Sequence, residues 1–445
     1  MAEHDSPRAD GGDQEPPWPS PYYAWYVVAI LTLAYTVAFI DRQILNLLVS
    51  PIREDLGISD TQIGLLQGLA FVVLYSVLGV PIGRLADRGN RRNIIAAGIF
   101  LWCWMTAACG LARNYLQLFL ARVGVGIGEA ALSPPAYSLI ADYFPPERLA
   151  RATGTYALGV YSGAGIAMLV GGAVIELIAG LDDVVLPVVG ALRPWQLAFI
   201  VVGLPGLLVA ALMFTVKEPV RRGTSRQVES RDGRVALAEV FRFLRRESRF
   251  FASIFVGLSM LGMAIIAILS WTPTFFIRLH GWSAAEVGYA YGLILLLFGT
   301  SGSVLGGLAA DWLRARGFTN GIMLTTMAVS LAGLPCAVLM PLVSQDWLAL
   351  VLLIPVTFLL ASPVGLSAAA VQIATPNRMR AQVTAIYFLV VSLIGSGIGP
   401  LTVALCTDFL FGDDMALGKS LALVNAVLLP AGVLSLWLGL RRQRT

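Results

Sequence analysis

The chain has 445 residues, of which 13% are charged and 57% hydrophobic, with a mean hydropathy of +0.76. Soluble chains carry about 25% charge, so a hydrated globule and a disordered polymer are both excluded and an integral membrane protein is left. The net charge of +4, from 31 Lys and Arg against 27 Asp and Glu, is too small for a nucleic-acid surface.

Residues 1–20 are acidic and Pro-rich. They contain no apolar stretch behind a basic start, so 1–23 reads as a disordered cytosolic tail, with the first span as insertion signal. Twelve apolar segments follow, near 24–49, 61–84, 93–112, 114–141, 151–178, 195–216, 250–278, 284–310, 320–341, 346–372, 380–407 and 417–440. Leu- and Ala-rich runs of roughly 20 residues are helices rather than the alternating strands of a barrel. The expected fold is an all-α membrane protein with twelve transmembrane helices in two six-helix bundles, 24–216 and 250–440.

The longest hydrophilic interruption, 217–249, separates the bundles. Within it Leu237, Val240, Phe241 and Leu244 share helical spacing, and Arg242, Arg245, Arg246 and Arg249 occupy much of the remainder. This predicts a basic amphipathic helix at the inner membrane surface, either a connector or a lipid-binding element. A basic tail, 441–445, ends the chain. Lys and Arg crowd 84–92, 217–249 and 441–444, whereas the alternate loops hold Arg53, Arg113, Arg193, Arg278 and Lys419. That bias predicts cytosolic termini. Arg-rich composition and compact loops suit a bacterial inner membrane, and a monomer is expected.

An internal repeat supports two bundles. Gly83-Arg84-Leu85-Ala86-Asp87-Arg88 follows span two, and Gly307-Leu308-Ala309-Ala310-Asp311 with Arg314 follows span eight. Parallel halves of this kind are a transporter design, with substrate held between them at mid-depth.

The first of these loops resembles the Gly-x-x-x-Asp-Arg-x-Gly-Arg-Arg pattern of the major facilitator superfamily, with Asn90 in place of its second Gly. There Asp87 can accept from a neighbouring helix N-terminus while Arg88 and Arg91 pair with acids. With Gly83 and Asp311, they form a candidate cytosolic latch holding the bundles together when the outside is open. Arg122-x-Gly124-x-Gly126-x-Gly128-Glu129-Ala130 in span four and Phe39-Ile40-Asp41-Arg42 in span one resemble the spinster branch of that superfamily. The resemblance implies a carrier of sphingosine phosphate, lysophospholipids or similar amphiphiles.

The glycine run has no preceding strand and sits mid-span, so it reads as a close-packing face, with Arg122 and Glu129 toward a cavity. Gly159-x-x-x-Gly163, Gly302-x-x-x-Gly306 and Gly395-x-x-x-Gly399 read the same way. Ionisable groups inside a bilayer are costly and usually functional, and here they concentrate as Asp41, Arg42, Arg122 and Glu129. At about 1.5 Å per residue, Asp41 and Arg122 lie at equal depth and Glu129 about 10 Å deeper. Arg122 and Arg42 are the candidate head-group ligands, because a guanidinium fork suits phosphate. Asp41 and Glu129 are the candidate proton carriers. A neutral carboxyl would free an Arg for substrate, with proton and substrate expected to compete. The alternative is a structural Asp41–Arg122 ion pair. Asp41 is the preferred cavity-lining residue, with Arg42 over an outer gate.

The second half is milder, with Ser and Thr in its spans and kinks expected at Pro273 and Pro363. A polar pocket beside an apolar wall suits an amphiphile, and an aromatic acid almost as well. Export by proton antiport is expected, with symport left open. A multidrug or organic-acid carrier and a non-transporting receptor are the alternatives. No cofactor beyond the proton gradient, no metal and no enzymatic activity are expected: Cys103, Cys109, Cys336 and Cys406 form no ligand pattern, no histidine base faces Ser133, and no GxxxxGK[ST] loop occurs.

Overall fold

Lipid offers the backbone no hydrogen-bond partner, so each apolar run satisfies its own groups as a helix. Short polar side chains start these helices. Ser20 and Asn114 accept from the backbone N–H of Tyr23 and Gln117, and Ser59 and Ser283 form reciprocal caps with Gln62 and Glu286. Asn90, the departure from the loop pattern, caps span three by accepting from Asn93 N–H at 3.0 Å.

The computed structural model describes residues 18–178, 180, 184–186, 190–221, 237–318, 320–376 and 379–442. The tail before Trp18, the Asp182-Asp183 turn and linker residues 222–236 lie outside the described residues. Among the described residues, twelve helices are long and apolar enough to cross a membrane: Pro21–Leu47, Asp60–Arg88, Arg91–Cys109, Tyr115–Tyr143, Glu147–Ile178 and Pro194–Met213, then Ser248–His280, Ala284–Ala315, Gly321–Leu342, Asp346–Ala374, Gln382–Phe411 and Asp414–Arg441. They are spans one to twelve below, and they match the apolar segments to within a few residues.

Three features depart from the sequence reading. A short antiparallel hairpin, Val184–Leu186 with Gly190–Leu192, joins spans five and six. The linker helix Leu237–Arg246 exists, but its packed face is turned. Val240 is buried and the Phe243 ring meets Phe251 with centroids 5.4 Å apart, while Phe241 is exposed. Finally, π-helical turns interrupt span eight at Leu295–Gly299 and span eleven at Ser392–Ser396 and Cys406–Phe411. Such turns have no periodic sequence signal and recur at functional sites.

The two bundles meet along spans five and eight and along spans two and eleven. Glycine permits the approach. A Cβ on Gly165 would lie 2.6 Å from the Leu296 nitrogen, and one on Gly68 would lie 2.3 Å from the Gly397 carbonyl oxygen. These contacts lie in the halves of the spans nearest Asp60. At that end Arg278 grips Asp60 at 2.7 and 2.9 Å, and Arg53 bonds Asp414 at 2.8 Å and lies 3.2 Å from Asp60. Asp408 accepts from Thr61 N–H at 2.7 Å. The Asp60 end is therefore sealed by charge across the bundles. Asp60, Asp408 and Asp414 place oxygens within 4.8 Å of one another, and two guanidiniums already offset that charge. At mid-depth Ser76 donates to Ser392 at 3.2 Å. At the opposite, Asp87 end, Asp87, Arg88 and Asp311 are exposed.

Candidate functional site

Span four is pressed against spans two and three. A Cβ on Gly126 would lie 2.3 Å from the Phe71 carbonyl oxygen, and one on Gly128 would lie 2.6 Å from the Trp102 nitrogen. Any larger residue would force the helices apart, so the glycine run is the expected packing face. The other small-residue pairs behave alike: Gly302 and Gly306 face Phe358 and Ser362 of span ten, and Gly399 faces Met263 of span seven.

That closeness brings the four intramembrane charges together, in a pairing different from the expected one. Arg42 Nε donates to Glu129 Oε2 at 2.6 Å, and its terminal nitrogen meets the same oxygen. Arg122 donates to the Asp41 backbone carbonyl at 3.1 Å rather than to its carboxylate. The Asp41–Arg122 ion pair is thus replaced by Arg42–Glu129. The depth match of Asp41 with Arg122 holds, and Arg42 reaches along the bundle to Glu129.

The lining assignment is also reversed. Asp41 is fully buried, and neither of its carboxyl oxygens accepts a hydrogen bond of normal geometry; Thr106 of span three is the polar neighbour at its carboxyl. Arg122 and Glu129 are buried as well, so neither faces a cavity openly. Arg42 is the group that emerges, with 23% of its side chain exposed. Adjacent residues point about 100° apart on a helix, so turning Asp41 into the bundle presents Arg42 to the interior face. One oxygen of Glu129 is left without a partner.

An aromatic cradle holds Arg42. Its guanidinium carbon lies 4.4 Å from the Phe71 ring centroid, 5.2 Å from Phe39 and 5.3 Å from Tyr75. Phe71 and Tyr75 stack, and Tyr35 stacks on Tyr156, with Tyr137 edge-on to the latter. The sequence reading missed this cradle. Phe71 and Tyr75 are spaced i, i+4, a signal that any lipid-facing helix also produces.

Across the seam, beyond Ser76–Ser392, the second bundle contains a cavity of about 200 Å³ lined by Leu258, Ile265, Ile266, Pro363, Tyr387, Phe388, Val391 and Ser392. It is apolar apart from a few hydroxyls. The π turn at Ser392–Ser396 forms part of its wall.

The latch residues are divided. Asp87, Arg88 and Asp311 are exposed and Gly83 is half-buried. Arg91 is buried and binds Asp142, Glu218 at 2.7 Å and the Ser138 carbonyl at 3.0 Å. It ties the first bundle to the linker rather than to the second bundle. Arg221, which the sequence reading passed over, donates to the Ala86 and Gly89 carbonyls at 2.8 and 2.6 Å and also to that of Asp87. Those are carbonyls at the end of span two that the helix itself leaves unpaired. The gate residues Arg53, Asp60, Arg278 and Asp414 were missed as a site. In the sequence Arg53 and Arg278 stand out only as loop charges, because partners across the bundles such as Asp60 and Arg278, 218 residues apart, leave no local pattern.

The Major Facilitator Superfamily model matches residues 31–400. An MFS-type efflux pump of Mycolicibacterium smegmatis is 30% identical over 429 residues, which is 95% of this chain and 94% of that one. A protein of Escherichia coli named "Probable L-galactonate transporter" is 26% identical over 298 residues, 65% of this chain and 62% of that one. Among solved structures, a bacterial homologue of the human lysosomal transporter Spinster, in an inward-facing and unoccupied conformation, superposes with a TM-score of 0.75. It is 28% identical and is matched over 95% of this chain and 96% of its own. With twelve spanning helices in two bundles and a family match over most of its length, the chain belongs to the major facilitator superfamily and resembles its spinster homologues.

Proposed function

We propose that the chain is a proton-coupled secondary carrier of anionic amphiphiles, of the sphingosine-phosphate or lysophospholipid type, working by alternating access in a bacterial inner membrane with both termini cytosolic. The observation that carries this reading is the Arg42–Glu129 pair, partly exposed on its Arg side and set near an apolar cavity of the other bundle. A phosphate takes the guanidinium and a hydrocarbon tail takes the cavity. On this orientation the Asp60 end faces out and is closed, and the latch at Asp87 and Asp311 engages when that end opens.

The pair sets the sign of coupling. The Glu129 carboxylate and the substrate anion compete for one guanidinium. A proton on Glu129 removes the first competitor and so assists the second. Proton and anion then load together, which favours co-transport in one direction over the exchange expected from sequence. Affinity at this site rises as pH falls. Asp41, without a guanidinium on its carboxyl, is the second proton carrier; Arg122 holds span one in place through the Asp41 carbonyl.

The test is uptake of labelled sphingosine phosphate into proteoliposomes, with and without a pH gradient. The native chain accumulates it with the gradient. Glu129→Gln leaves Arg42 permanently free and is expected to bind and equilibrate substrate without accumulating it. Gradient-driven accumulation by Glu129→Gln equal to native would sink the coupling assignment. A second reading, an organic-acid carrier, is favoured by the similarity to the galactonate-transporter relative. In that case galactonate competes for uptake and lysophospholipid does not. Absence of flux for every solute would leave the receptor reading.

A further inference from the structure

We propose that the linker helix Leu237–Arg246 is an anionic-lipid binding element: it lies on the membrane surface at the Asp87 end and holds phosphodiester headgroups there.

The helix is anchored on one side only. Val240 is buried, and Phe243 and Leu244 pack on the second bundle. Span seven starts at Ser248, immediately after it, so the helix sits at the level where the chain enters the membrane. Among the described residues, none covers its remaining face. There Phe241 is exposed, and Arg242, Arg245, Arg246 and Arg249 are exposed around it. Glu239 and Glu247 oppose them, and the Arg246–Glu247 pair is at 4.0 Å with both side chains open to solvent, which offsets little charge. An aromatic ring among arginines is a poor surface for water and a good one for the headgroup layer.

Two further pairs mark that layer at the same end. Arg316 lies 3.7 Å from the Trp312 ring centroid at the end of span eight, and Arg441 lies 3.6 Å from the Trp437 ring centroid at the end of span twelve. Trp at the ends of spans, with Arg reaching outward, is the signature of an interfacial belt. The exposed face of the linker helix joins this belt and adds four arginines to it. Charge complementarity selects anionic over zwitterionic lipid.

The experiment uses the full chain in vesicles containing spin-labelled phosphatidylglycerol or spin-labelled phosphatidylcholine and reads the immobilised fraction of each. It needs no transport substrate, so its failure is separable from failure of the carrier reading. The native chain should immobilise phosphatidylglycerol about five-fold more strongly, the weight of a single arginine at an anionic surface. The preference should fall between about 0.05 and about 0.5 M salt as screening shortens the field. The variant R242Q/R245Q/R246Q/R249Q should bring the two lipids close to parity, and the lighter variant R242Q/R246Q should lose part of the preference. Equal immobilisation of both lipids by the native chain overturns the proposal. So does an unchanged preference in either variant. A change in oligomeric mass in the variants, with lipid preference intact, would assign the face to a second copy of the chain instead.

Discussion

The two bundles share a fold and differ in what they put at the seam. The first six spans bring Asp41, Arg42, Arg122 and Glu129 together within their own bundle, pairing Arg42 with Glu129 and bonding Arg122 to the Asp41 carbonyl. The last six spans place a cavity of about 200 Å³ opposite, lined by Leu, Ile, Phe and Val with scattered hydroxyls. Neither half is regular throughout: spans two, four and six break at Gly68, at residues 130–132 and at residues 204–205, whereas spans eight and eleven contain π turns where they meet the first bundle. Buried charge needs fixed partners, because losing one exposes the other to the full desolvation cost. An apolar wall has no such requirement. The first half is thus suited to recognising charge, and the second to accommodating a tail.

Removing the charge is expected to have the largest effect. Arg42→Ala leaves Glu129 buried without a cation, which costs about 3–5 kcal/mol, and deletes the anion ligand. Uptake should fall by about 100-fold or more, with a lowered melting temperature in detergent. Arg42→Ala transporting at more than half the native rate would dissolve the division between the bundles.

The gate comes next. Asp60→Asn leaves Arg278 and Arg53 without a buried anion. The Asp60 end should open about ten-fold more often, the weight of a weakened buried pair. Spin labels replacing Glu54 and Met415 report it as a longer-distance population. An unchanged distance distribution would show that the glycine contacts alone hold that end shut.

The smallest effect sharpens the comparison most. Val391→Trp fills part of the cavity. At about 0.8 kcal/mol per methylene displaced, it should weaken a long-chain substrate by about ten-fold and leave a short-chain phosphate unaffected. Equal weakening of both in a competition assay would mean that the cavity does not receive the tail.

Much of this was legible in the amino-acid order. The spans follow from apolar length, because in lipid a run of that length has no alternative to a helix. Arg122, Gly126 and Glu129 could be placed together because they lie on one helix, where spacing is geometry. The equal depth of Asp41 and Arg122 followed from the rise per residue alone. The π turns were illegible because one extra residue per turn leaves hydrophobicity unchanged, and the gate was illegible because Asp60 and Arg278 are distant in the chain.

What the sequence by itself determined was the class of molecule, its span count, its two-bundle division and the identity of its intramembrane charges. Each rests on a local cost, that of exposing a polar group to lipid. What only tertiary structure decided was which charges pair, which of two neighbours reaches the seam, and which end is shut. Arg42 and Asp41 are adjacent, and either could have faced inward. Rotation of one helix against its neighbours, limited by Gly126 on Phe71 and by Arg122 on the Asp41 carbonyl, chose between them. Such a choice is made by close packing among several helices at once and is recorded in no single one.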